Sequence, residues 1–312
     1  MRTALTILAD ELRRLKATGV KSVSVSDESI AILRRGIAAR AEKGSTSGKI
    51  PPAGGTPSTR CSPDQPPGEG TRPTPNPKPV SAPPATSTLP ASPVVALLAG
   101  DKVTRWNALR ELVGNDPVCR SHVRPGKKIV LGVGNLDAKI MFVGEAPGAE
   151  EELQGEPFVG PAGQLLTKMI GAMGLARGDV YIGNIMNWRP ELPTAEGATQ
   201  VGNRAPNEEE MRYCLPYLRA QIEVVQPALL VALGATAAQG LLGFGSFKAL
   251  GDIRGQWRDF SGTPLLITYH PSYILRSQSN RSKRMIWEDL LKVMERAALP
   301  ISEKQRGYFL EK

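Results

Sequence analysis

The sequence predicts an α/β fold, a parallel β-sheet covered by helices on both faces. Three observations predict it. Four short segments are apolar almost throughout: KIMFVGE (139–145), VYIGNIM (180–186), ALLVALG (228–234) and PLLITYH (264–270). Strands apolar on both sides of the pleat are buried on both faces, as in parallel sheets. Stretches of helical periodicity separate them, as parallel crossovers require. Each segment then runs into a polar or Gly/Pro-rich loop (GEAPG, Asn184, GAT, His270-Pro271). Ligands of α/β sheets sit at those carboxyl ends.

Taken in order, the periodicity predicts helices at about 94–113, 161–174, 207–226, 235–242 and 281–298. Asn207, with Glu210 three residues on, has capping-box spacing. All sixteen aromatic residues lie at or beyond Trp106, so a folded domain is expected over 94–312. Residues 44–93 hold fourteen of the 27 prolines. Such a stretch buries too little apolar surface to offset ordering entropy and reads as a disordered linker, with Cys61 a bystander in it. In residues 1–43, Leu5, Leu8, Leu12 and Leu15, then Ile30, Leu33 and Ile37, recur at helical spacing. Two short amphipathic helices form no core alone, so this segment docks on the main domain or binds a protein partner.

Composition narrows the function classes. Three cysteines in 312 residues exclude a disulfide framework, no run of eighteen apolar residues suggests a membrane span, and the N-terminus lacks a secretory pattern. A cytoplasmic monomer with no membrane partner is expected. Of the net charge of +9, a surplus of six sits in residues 1–100. The bulk charge therefore says little about nucleic acid; clustering must decide.

The only histidines are His122 and His270. His270 ends an apolar segment before Pro271, placing an imidazole at the ligand end of the sheet or serving as a structural residue there. The segment 144–166 is denser in chemistry. It carries Gly144, Glu145, Ala146 and Pro147, the acids Glu150, Glu151 and Glu152, Phe158, and Gly160 and Gly163 flanking a helix start. It matches neither a Walker loop nor the dinucleotide fingerprint. Arg276, Arg281, Lys283 and Arg284 follow His270 with no acid until Glu288, either a solvated helix start or a phosphate-contacting cluster.

Seven segments together resemble the uracil-DNA glycosylase superfamily, and within it the family 4 enzymes that usually carry an iron–sulfur cluster. They are GEAPGAEEE (144–152), PFVGPAGQLL (157–166), VYIGNI (180–185), WRP with GNRAPNEEE (188–210), LVALGATAAQGLLG (230–243), IRGQW (253–257) and YHPSYILR (269–276). They keep the family's order and cover about residues 128–296. The resemblance implies a four-stranded parallel sheet with helices on both sides and DNA across the strand ends. It implies monofunctional removal of uracil from single- or double-stranded DNA, the first step of base excision repair.

The resemblance also assigns roles. Phe158 forms the wall of the uracil pocket, beside Gly144, Ala146 and Pro147. The Asn184 carboxamide reads uracil O4 and N3–H. His270 donates to O2 as charge develops, a task a neutral imidazole performs. Glu145 and Glu151 are the candidates for activating water. The Arg276, Arg281, Lys283 and Arg284 cluster contacts phosphates, and Tyr273 or Ile274 fills the gap left by the extruded base.

The chain departs from family 4 at the cluster. Trp188 stands before Arg189-Pro190 where a cysteine is expected, and Cys119 and Cys214 alone remain. A cluster takes about four thiolates, so no cofactor is expected. Cys119 and His122, in C-x-x-H spacing, with Cys214 supply three ligands of the four zinc takes. A polar insertion, 191–201, reads as a mobile loop. Two other functions stay open: a non-catalytic or covalent binder of uracil-DNA, and an interaction module of a replication or repair assembly.

Overall fold

The computed structural model describes residues 89–97, 99–194 and 199–310. Residues 1–43, nearly all of the Pro-rich 44–93 segment and Cys61 lie outside the described residues.

The elements in chain order are α1 (Lys102–Asn115), α2 (Pro117–Ser121), β1 (Val133–Gly134), β2 (Ile140–Gly144), α3 (Ala149–Gln154), α4 (Pro161–Ala172), β3 (Tyr181–Asn184), α5 (Glu208–Val225), β4 (Leu229–Leu233), α6 (Ala235–Leu242), α7 (Leu250–Ile253), β5 (Trp257–Phe260), β6 (Thr263–Thr268), α8 (Pro271–Arg276), α9 (Asn280–Arg296) and α10 (Glu303–Arg306). The sheet order is β1-β3-β2-β4-β6-β5. The four apolar segments form the parallel centre, β3-β2-β4-β6. Two strands the sequence reading lacks, β1 and β5, add antiparallel edges. Both are short and carry exposed positions, so neither shows the continuous apolar signal.

Side chains alternate between two cores. Met141, Val143, Tyr181, Leu230, Ala232, Leu265 and Ile267 face α1, α5 and α6. Ile140, Phe142, Ile182, Val231 and Leu266 face α4 and α9. The first predicted helix starts later than expected, at Lys102, because the Asp101 carboxylate accepts from Thr104 N (2.7 Å) and caps it there. Leu89, Val95 and Leu97, ahead of that helix, pack on the first core. The predicted box at Asn207 forms: its Oδ1 accepts from Glu210 N and Glu210 Oε2 accepts from Asn207 N, both at 2.8 Å.

Register brings two strand ends together. Gly144, last in β2, pairs with Asn184, last in β3. Leu233 of β4 pairs with Thr268 of β6, two residues before His270.

Candidate active site

At the carboxyl ends of β2, β3 and β6 lies a cavity of about 100 Å³, lined by Ala146, Gly148, Glu151, Phe158, Ala162, Asn184, Asn203 and His270. A larger depression of about 500 Å³ beside Trp106 and Lys128 contains neither histidine and none of these groups.

Phe158 is held in a strained turn. Its φ is +55°, a left-handed value that costs a non-glycine residue on the order of 1–3 kcal/mol. Three neighbours impose it. Glu151 Oε1 accepts from Val159 N (3.0 Å) and Gly160 N (2.9 Å). Arg177 Nη2 donates to Pro157 O (2.6 Å). Gly163 has no Cβ, which would stand 1.8 Å from Phe158 O. The ring is thereby laid over Gly144 and faces His270, with centroids 5.6 Å apart and planes tilted by 31°.

Asn184 is 6% exposed, and its Oδ1 finds no hydrogen-bond partner among the described residues. A buried amide oxygen left unsatisfied costs roughly 1–3 kcal/mol, so it stands ready for a donor from a ligand.

His270 caps α8. Its Nδ1 accepts from Ser272 N (3.2 Å) and lies 2.8 Å from Ser272 Oγ. A backbone N–H can only donate, so Nδ1 is the unprotonated nitrogen and Nε2 carries the hydrogen. Burial, then the Arg276 cation, push the imidazole down to about 4, against an opposing pull from Glu151. It is a neutral donor at neutral pH.

The two acids differ. Glu151 spends both oxygens on backbone amides, Oε2 taking Gly148 N (3.1 Å). Glu145 follows Gly144, and its carboxyl is pushed up by burial against a hydrogen bond from Thr236. It is not among the cavity-lining residues.

The basic cluster separates in space. Arg276 and Arg281 are exposed, with Arg276 Nη1 on Ser272 Oγ (3.2 Å). Lys283 lines a groove with Leu165, Trp287 and Phe309. Arg284 is committed to Glu288 (2.9 Å) and to the carbonyls of Arg306 and Tyr308. Tyr273 stacks on Tyr269 at 4.4 Å. Ile274 is 8% exposed in the second core, whereas Leu275 is 42% exposed. Sequence reasoning missed Asn203, Arg177 and Leu275. The first lies beyond the insertion, the second acts through a backbone oxygen, and the third depends on the rotational phase of α8.

The family model for the uracil DNA glycosylase superfamily matches residues 131–291. The type-4 uracil-DNA glycosylase of Thermotoga maritima is 44% identical over 165 residues, covering 53% of this chain and 80% of that protein. That of Pyrobaculum aerophilum is 40% identical over 181 residues, covering 56% and 87%. A type-5 uracil-DNA glycosylase of Pyrobaculum aerophilum is 29% identical over 169 residues, covering 53% and 73%. The sheet, the cavity at its strand ends and these matches define a glycosylase-class domain. The chain belongs to the uracil-DNA glycosylase superfamily, on its type-4 side.

The residues present do not fit an iron–sulfur cluster. Cys119 and Cys214 are both fully buried. A cluster takes about four thiolates, and these two are the only cysteines among the described residues. Trp188, 1% exposed, fills the adjoining space, stacked on His122 at 4.8 Å with planes 7° apart and tilted against Tyr213. Among the described residues no group of three His, Cys, Asp or Glu is disposed to hold a metal. The insertion expected to be mobile is tied at its base: Gln200, 4% exposed, donates to Pro190 O (3.1 Å) and accepts from Leu192 N (3.2 Å).

Proposed function

We propose that this protein is a monofunctional uracil-DNA glycosylase that initiates base excision repair. The observation that carries the reading is the unsatisfied Asn184 Oδ1 in a cavity it shares with the Phe158 ring and a neutral His270. Uracil offers N3–H to that oxygen and O4 to the same amide. Cytosine has the opposite pattern and would leave buried groups unpaired, which discriminates strongly. The base must leave the stack to enter. As the glycosidic bond breaks, its electron pair moves onto the uracil ring, and His270 Nε2–H supports the charge on O2. Water adds to the sugar carbon and loses a proton. An acid takes that proton: Glu151 lines the cavity and keeps one carboxylate lone-pair site beyond the three amides by which it sets Phe158, and Glu145, its carboxyl pushed up by burial, follows Gly144 outside the lining. Arg276 and Arg281 contact phosphates, and Leu275 rather than Ile274 is the exposed apolar side chain beside the extruded base.

The enzyme works without a cluster, as a cytoplasmic monomer whose residues 1–43 bind a partner through the linker at 44–93. Iron content of the purified protein checks the first of these. The decisive experiment incubates the full chain with uracil-containing single- and double-stranded oligonucleotides and looks for alkali-labile sites. Deletion of 1–88, which keeps Leu89, Val95 and Leu97 on the core, is expected to retain excision within about 3-fold, since no cavity residue is removed. A heat-stable adduct, or no cleavage, would replace this reading with the binding one.

The pH dependence has a definite sign. His270 is held below its ordinary 6.5, at about 4, so the unfolded chain takes up the proton first as pH falls. Its contribution to stability is complete above about 6.5 and is lost between there and about 4. Excision is expected to show no histidine-linked fall near 6.5. A pH profile of single-turnover rates checks this, and a midpoint near 6.5 abolished by His270→Gln would contradict it.

A further inference from the structure

We propose that Arg189 is a positioning residue for excision, which orients the Asn203 carboxamide so that its NH₂ group is a fixed donor at the mouth of the cavity. The inference rests on the glycosylase reading above and extends it to a network outside the cavity. Arg189 is buried, its side chain 3% exposed, and each of its three nitrogens has an acceptor. Nη1 donates to Glu152 Oε1 (2.9 Å), Nη2 to Gly202 O (2.7 Å) and Nε to Asn203 Oδ1 (2.8 Å). Glu152, its side chain 7% exposed, is held in turn by Arg124 Nη2, at 2.9 and 3.0 Å to its two oxygens. Lys127 adds a third cation on Glu152 at 3.8 Å.

The chemistry of the pair leaves one arrangement. A guanidinium has donors and no acceptor, so only the Asn203 oxygen can face it. The amide nitrogen is then turned the other way, toward Gly148, 3.6 Å from where a Cβ on that glycine would stand. Gly148 and Asn203 both line the cavity, and Asn203 is exposed at its rim. With the base inside, the rim is where the glycosidic bond, the sugar oxygens and the attacking water arrive. The sugar oxygens and the water present lone pairs, and an NH₂ donor held there can bind them without reorganising during the reaction. Without Arg189, the carboxamide of an exposed asparagine is free to rotate and to present its oxygen instead. Lysine cannot substitute, since an ammonium lacks the planar fork that reaches three divergent acceptors.

A double-mutant cycle on the full chain tests the assignment, with kcat and KM for uracil excision and the melting temperature as readouts. Asn203→Ala and Arg189→Lys are each expected to lower kcat about 10-fold or more with little change in KM, and Arg189→Lys in the Asn203→Ala background to cost less than about 2-fold further. Equal loss from Arg189→Lys in both backgrounds would show a structural effect and overturn the proposal, as would an Asn203→Ala enzyme of undiminished kcat. If Arg189→Lys does not fold, Glu152→Gln, which preserves shape and removes the charge behind Nη1, takes its place in the same cycle. Absence of excision by the unmodified protein would instead mark failure of the glycosylase reading.

Discussion

Replacing Asn184 by alanine is expected to lower kcat/KM for uracil excision by about 10²–10³ while leaving the melting temperature unchanged or raised. The opposite signs come from one atom. In the free protein Asn184 Oδ1 is buried with no partner among the described residues, an arrangement that costs the fold when no donor is supplied. Alanine removes the unsatisfied oxygen and the cost with it, offset in part by the small void left behind. On the proposed reading that oxygen and the amide NH₂ bind the edge that distinguishes uracil from cytosine, so the gain in the free protein is a loss with substrate bound. Function here is drawn from stability the fold does without. Single-turnover excision with a thermal melt measures both signs. A variant that loses stability and activity in proportion would show that Asn184 is a packing residue, and the reading of the cavity would fall with it.

Much of this site was legible in the sequence because its parts sit at strand ends. A strand apolar on both faces announces its own boundary, so Gly144, Asn184 and His270 could be placed at the ligand end of the sheet before any coordinates. The neighbour relation between Gly144 and Asn184 could not, since parallel register is set by tertiary packing and leaves no local pattern. The edge strands β1 and β5 escaped for a related reason, having one side open to solvent. Charge was read less well than hydrophobicity. Arg284 looks like part of a phosphate cluster in the sequence, but its donors go to Glu288 one helical turn on and to carbonyls near the C-terminus. Glu151 looks like a free carboxylate, yet three amides across two loops hold it. Identity of a charged residue can be read from sequence, whereas whether its hydrogen bonds are already spent is a property of the fold.

The second large effect is expected from Gly144→Ala, a substitution of a residue with no side-chain chemistry of its own. A Cβ at Gly144 would stand 2.4 Å from Asn184 Oδ1 and 2.5 Å from Cε2 and Cζ of Phe158. Both contacts are to ends of side chains, so the backbone can survive and the strain is relieved by pushing the carboxamide and the ring aside. Phe158 has little freedom to comply, since Glu151, Arg177 and the Gly163 contact lock its backbone. Overpacking of this kind costs roughly 1–3 kcal/mol of stability, whereas displacing catalytic groups by an ångström costs about 10²-fold in rate or more. The expected outcome is a folded protein with near-normal circular dichroism, a modestly lowered melting temperature and excision reduced at least about 10²-fold. Gly163→Ala is the informative contrast, because its Cβ would meet the Phe158 carbonyl itself, 1.8 Å away, where only backbone movement gives relief. That variant should lose stability and activity together. If Gly144→Ala keeps excision within about 3-fold of the parent, the ring and the carboxamide do not share the hollow that a one-carbon intrusion would fill, and the pocket drawn from their contacts is wrong.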